Sequence, residues 1–224
     1  METATWAVAI ATFLAVIVAL FKEEMVRLWH RPKLSGSCLL VAPHCHKTEL
    51  TYHDPATRQL IARGDCYYLR IWIENQGYQR AEKVQVFASK LMRKHADGVF
   101  REDKDFLPMN LRWSHSREVF AEGISPKMGR HCDLAYIEEP LLRAKGGRTL
   151  TGVAPDKTIL ALDLEVKPNT LSDLLAPGTY RLELKIAAAN APPKEKHIEI
   201  NLTGDWFPDE RKMFSDGVGI KELD

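Results

Sequence analysis

The segment Pro43-His44-Cys45-His46-Lys47 gathers side chains that bind metals, and Cys38, Cys66 and the pair His131-Cys132 add more. In an extended chain His44 and His46 point to the same face, a spacing that can serve one zinc ion. Closing such a site needs two further ligands from elsewhere, and Cys66 and His131 are the candidates. The spacing matches no standard zinc module, and buried free cysteines behave as small hydrophobes. The expectation is therefore no cofactor and no metal, with His44, His46, Cys66 and His131 as the residues that would hold one.

Other catalytic patterns are weaker still. No GxSxG elbow occurs, and Ser114 and Ser116 flank a His115 that faces the opposite way along a strand. There is no GxxxxGK or GxGxxG phosphate loop. Glu138-Glu139 and Asp103 with Asp105 read as surface runs, so the chain is not expected to be an enzyme. Candidate binding residues sit instead in turns: Asn75, Gln76, Tyr78 and Arg80, then Lys145 and Arg148, then Trp206 and Phe207 in the tail. The run from Met109 to His115 mixes aromatic, basic and polar groups, but Leu111 and Trp113 suit a core.

The elements that position these residues begin with an anchor. From Thr3 to Phe21 the 224-residue chain carries no charge, and at about 1.5 Å per residue this run spans roughly 28 Å, close to a hydrocarbon core. A cleaved signal peptide needs a basic start, and Glu2 stands there instead. Lys22, Arg27, Arg31 and Lys33 follow the run, which puts the N-terminus outside and the remaining chain in the cytoplasm, at an inner cell membrane. The helix is expected to extend through residues 22–33 until Pro32 ends it, with Trp29 along the headgroups. Ala7, Ala11, Ala15 and Ala19 form a small-residue row suited to self-association or to pairing with another helix.

Beyond Leu34 short alternating runs alternate with turns. The clearest is Cys66 to Glu74, where Tyr67, Leu69, Ile71 and Ile73 oppose Tyr68, Arg70, Trp72 and Glu74. Further strands are expected over 37–42, 47–52, 83–89, 110–113, 131–137, 158–166, 180–187 and 196–202. They predict an antiparallel β-sandwich over 34–204, with the tail 205–224 docking through Trp206, Phe207 and Phe214. The 31 basic and 30 acidic residues leave a net charge of +1, so nucleic acid is not an expected partner.

Two segments carry a resemblance. IENQGYQRAEKVQVFAS resembles the strand, Asn-x-Gly turn and Val-x-Val strand of adhesion-type immunoglobulin-like domains, and APGTYRLELKI resembles a late-strand entry in them. The whole chain is similar to uncharacterised prokaryotic single-pass membrane proteins with such a domain. That resemblance implies an immunoglobulin-like sandwich and carries no activity. Three functions remain in play: a membrane-anchored interaction module, a ligand sensor that oligomerises through its helix, and a metalloprotein or enzyme using His44, Cys45 and His46. An enclosed pocket between the sheets would favour the sensor.

Overall fold

The computed structural model describes residues 2–223, and within the first helix the side chains of residues 6, 10–22 and 30. The alternation seen from Cys66 to Glu74 belongs to a longer strand, β3 (Leu60–Asn75), around which the first sheet is built. One edge of β3 pairs with β1 (Leu34–Ser37) and β2 (Cys45–His53), the other with β9 (Gly129–Glu138). Beyond β9 lie β7 (Arg112–Trp113), β10 (Leu160–Leu162) and β11 (Leu174–Leu175). The second sheet runs β14 (Val218–Leu223), β13 (Ala191–Leu202), β12 (Gly178–Ala188) and β4 (Ala81–Lys94). The far edge of β4 is shared by β8 (Ala121–Ile124), β6 (Met109–Asn110) and β5 (Phe100–Glu102). All pairings are antiparallel, and the molecule is mainly β, consistent with a β-sandwich.

Period-two burial explains the arrangement. Tyr67, Leu69, Ile71 and Ile73 of β3 are fully buried, as are Val84, Val86, Ala88 and Leu91 of β4 and Leu182, Leu184 and Ile186 of β12. Each large branched side chain removed from water this way stabilises the fold by about 1.5–3 kcal/mol. Trp113 lies fully buried in this layer, its indole N–H donating to the Val84 carbonyl at 3.2 Å and tying the sheets together.

Three segments differ from expectation. The strand expected over 37–42 stops at Ser37, because Ser37 pairs with Trp72 and Cys45 with Leu69. Residues 38–44 therefore cross a gap of two register positions as an excursion from the edge. The strand expected over 158–166 is confined to Leu160–Leu162, since Asp163 turns its carboxylate to Arg117. The chain from Asp205 onward contributes β14 and packs Trp206, Phe207 and Phe214 against the core.

Helix α1 spans Glu2–His30, and among the described residues no helix is long and apolar enough to cross a membrane. The anchor expected over 3–21 thus rests on the sequence. The side chains of Ala7 and Trp29 lie outside the described residues; Ala11, Ala15 and Ala19 are exposed. A short helix, α2 (Pro140–Gly146), starts on a proline suited to the first turn and covers β3 at Gly64 with its buried Leu142.

Asn75, expected as a binding-loop residue, is fully buried, and this is a correction. Its Oδ1 accepts from Lys33 N at 3.2 Å and Gly77 N at 3.0 Å, while Nδ2 donates to Gln79 O at 2.6 Å and Ile124 O at 3.0 Å. An Asn-x-Gly turn reads as a surface loop, but here the amide points inward and staples three chain segments. Asn75→Ala strands four backbone groups, each costing about 1–3 kcal/mol where water cannot replace the bond. We expect urea denaturation to show a loss of at least about 2 kcal/mol, against almost none for Gln76→Ala.

Candidate functional site

Alternation that buries Tyr67 and Leu69 turns Tyr68, Arg70 and Trp72 to the outer face of the first sheet. Beside them on β9 stand His131, Asp133, Tyr136 and Glu138, set by the register Trp72↔His131, Arg70↔Asp133 and Tyr68↔Tyr136. An outer sheet face is ordinarily solvated, yet Asp133, Glu138 and the neighbouring Asp163 are buried.

These carboxylates are held by a network. The Arg70 guanidinium lies 3.0 Å from Asp133, and Ser114 donates to the same carboxylate at 2.6 Å. Arg117 grips Asp163 with two bonds of 2.5 and 3.0 Å and stands 3.6 Å from Asp133. Burial raises the Asp163 carboxyl, with the Arg117 hydrogen bonds acting against it. The loop that delivers Arg117 is strained. His115 and Arg117 have φ of 69° and 61°, a region that costs non-glycine residues roughly 1–3 kcal/mol each.

Next to Asp163 a cavity of about 270 Å³ opens to solvent, lined by Leu50, Tyr52, Tyr68, Arg117, Tyr136, Glu138, Asp163 and Lys167. Three phenol rings wall it. Tyr52 hydrogen-bonds Glu138, and Lys167 donates to the Tyr136 hydroxyl at 3.1 Å. Burial raises the Glu138 carboxyl and pushes the Tyr68 phenol up to about 12. On the other side of Arg117 lies a larger groove of about 820 Å³, lined by Lys83, Arg112, Glu118, Val119, Phe120, Glu122, Glu165 and Val166. Phe120 and Val166 stand exposed in it. Arg117 thus separates a small aromatic cavity from an open groove.

The residues expected to hold a metal divide between two places. His131 Nε2 lies 3.1 Å from His44 Nδ1, with Trp72 against both rings. His46 sits across from Tyr68, whereas Cys66 pairs with Glu138 at the α2 end of the strand and is fully buried. Among the described residues no group of three or more His, Cys, Asp or Glu is arranged to hold a metal ion. Ser114 donates to Asp133 rather than to a histidine, so the described residues do not form a serine–histidine pair there.

The expected loops fare unevenly. Tyr78, Gln76, Arg80 and Lys145 are exposed. Arg148 is committed to buried Asp173, and Trp206 and Phe207 are half-buried against the core. Glu138, read as part of a surface run, is buried. The signal for the site was present in the non-core face of β3, where Tyr, Arg and Trp replace the small polar residues usual on a wet face.

Burial, then the neighbouring His44, pushes the His131 imidazole down to about 4. A depressed histidine binds fewer protons folded than unfolded, so its contribution is lost as pH falls from about 6.5 towards 4. Glu138 and Asp163, raised by burial, have the opposite slope: their protonated forms favour the fold, and that advantage is lost as pH rises. Chemical denaturation of the protein and of His131→Gln across this range isolates the contribution of His131. The stability of the native chain relative to the variant should fall as pH is lowered, and a constant difference would contradict the assignment. Comparison with protein-family models, with curated proteins and with solved structures finds no match for this chain.

Proposed function

We propose that this chain is a membrane-anchored, non-catalytic interaction module whose recognition face is the outer side of the first sheet. The observation that carries the reading is Arg117, held on a strained loop over two buried carboxylates between an aromatic cavity and an open groove. Sites that spend strain and buried charge on an exposed face are candidates for binding. The cavity of about 270 Å³ suits one protruding side chain, and the groove beside it suits the segment that bears it. A protein partner therefore fits better than a small diffusible ligand. The space between the sheets is filled by β3, β4 and β12 side chains, which weighs against a sensor with a ligand inside the sandwich.

Two finer readings accompany this one. The immunoglobulin-like assignment is supported by Tyr180, whose hydroxyl donates to Ala176 O at 2.9 Å in the manner of a tyrosine corner. Self-association through α1 is supported by the exposed row Ala11, Ala15 and Ala19. The anchor and the cytoplasmic placement of the sandwich are supported by the apolar run and the basic residues after it.

Co-purification of the full-length protein in mild detergent tests the face. Phe120→Asp in the groove and Lys167→Glu at the cavity rim should each lower recovery of a stoichiometric partner by about tenfold or more, the scale of a hot spot. Val99→Asp, on the hairpin between β4 and β5, should leave recovery unchanged. Equal recovery with all three variants would rule out the outer face as the recognition surface.

A further inference from the structure

The link between α1 and the first strand is short and fully engaged. Only Arg31, Pro32 and Lys33 separate them, and a Cβ on Gly77 would lie 2.5–2.8 Å from backbone atoms of all three. The link therefore runs directly over a residue that must lack a side chain. Lys33 N donates to Asn75 Oδ1 at 3.2 Å, and Gln76 N donates to Lys33 O at 2.8 Å. The His30 ring meets Tyr78 edge-on at 5.9 Å. The turn between β8 and β9 joins the same clamp, because Asn75 N donates to Met128 O at 2.9 Å and Lys127 N to Asn75 O at 2.7 Å. The helix thus meets the sandwich through a fixed joint.

A fixed joint fixes which end of the sandwich faces whatever α1 is inserted in. That end carries Tyr78, 65% exposed, and Met128, 61% exposed, with the Lys127 ammonium 4.8 Å from the Tyr78 ring centre. Arg80 is exposed at this end too, and of the acids there Glu74 accepts a bond from Gln76 while Glu82 and Glu122 stand exposed on β4 and β8. Apolar tips set among cations are the composition that rests on anionic headgroups. Distance agrees. From Lys22 to His30 the helix rises about 12 Å, and the headgroup layer is roughly 5–8 Å deep, so long side chains bridge what remains.

We propose that this end, formed by the loop between β3 and β4 and the turn between β8 and β9, seats on the anionic headgroups of the bilayer that holds α1. The proposal rests on the membrane-anchor reading. It orients the molecule: β3 stands away from the membrane, and α2, eleven residues along it at about 3.3 Å each, lies roughly 36 Å further out. The outer-face groove is then presented sideways, within reach of a second protein in the same membrane.

Nitroxide labels on the full chain in lipid nanodiscs test both the anchor and the headgroup contact. The native cysteines are all buried, so a label goes to Phe13→Cys, Met128→Cys or Val99→Cys separately. Collision with a water-soluble nickel chelate is read in phosphatidylcholine alone and with phosphatidylserine added. The expected result is a Phe13 label shielded in both, a Val99 label accessible in both, and a Met128 label shielded about threefold only with phosphatidylserine. Adding Arg80→Gln and Lys127→Gln should abolish that last shielding. A Met128 label as accessible as the Val99 label in both lipids, with the Phe13 label shielded, overturns the headgroup proposal and leaves the anchor standing. Equal Met128 shielding in both lipids overturns the recognition of charge. An accessible Phe13 label overturns the anchor and the proposal with it.

Discussion

Strict alternation along β3 is the constraint on which the rest depends. A slip of one residue would exchange Tyr67, Leu69, Ile71 and Ile73 with Tyr68, Arg70, Trp72 and Glu74, burying charge and exposing the core. Register is therefore set by the inner face. With the inner face set, a bulge in β9 between Asp133 and Ala135 brings Asp133 opposite Arg70, and Trp72 then stands opposite His131. The stability of the core pays for a polar outer face that would not hold itself together.

The two ends of β3 are finished differently. At one end Asn75 satisfies groups from the α1 link, the β3–β4 loop and the end of β8, so three segments act as one body. At the other, α2 covers Gly64, and two residues on Cys66 is fully buried, which pushes its thiol well up. Between them lies the charged and aromatic face. Its ion pairs are poor sources of stability, because desolvating two carboxylates costs about as much as the pairing returns. Their persistence on an exposed face, on a loop with two left-handed residues, points to a role beyond folding.

Sequence reading reached the fold through patterns local to one segment. The alternation at Cys66 to Glu74 and the turn at Ala176-Pro177-Gly178 needed no partner to be recognised. It failed where a residue's role is decided by another segment. Asn75 looks like a turn residue until its amide is seen between Lys33 and Ile124. Glu138 looks solvated until Tyr52 and α2 close over it. The excursion over 38–44 follows from register against β3, which no pattern within those residues encodes. The site draws on β2, β3, the β7–β8 loop, β9 and the chain after β10, and only the side chains of Tyr68, Arg70 and Trp72 advertised it.

Recognition by the Arg117–Asp163 pair is tested most directly by replacing both partners with apolar side chains of similar size. Arg117→Met combined with Asp163→Leu removes the charges together, a change that elsewhere leaves stability level or raises it by about 1–4 kcal/mol. The double variant should unfold at the same or higher urea concentration and no longer recover its partner in detergent co-purification. A double variant that is markedly destabilised, or one that keeps its partner, would contradict a role for the pair in recognition.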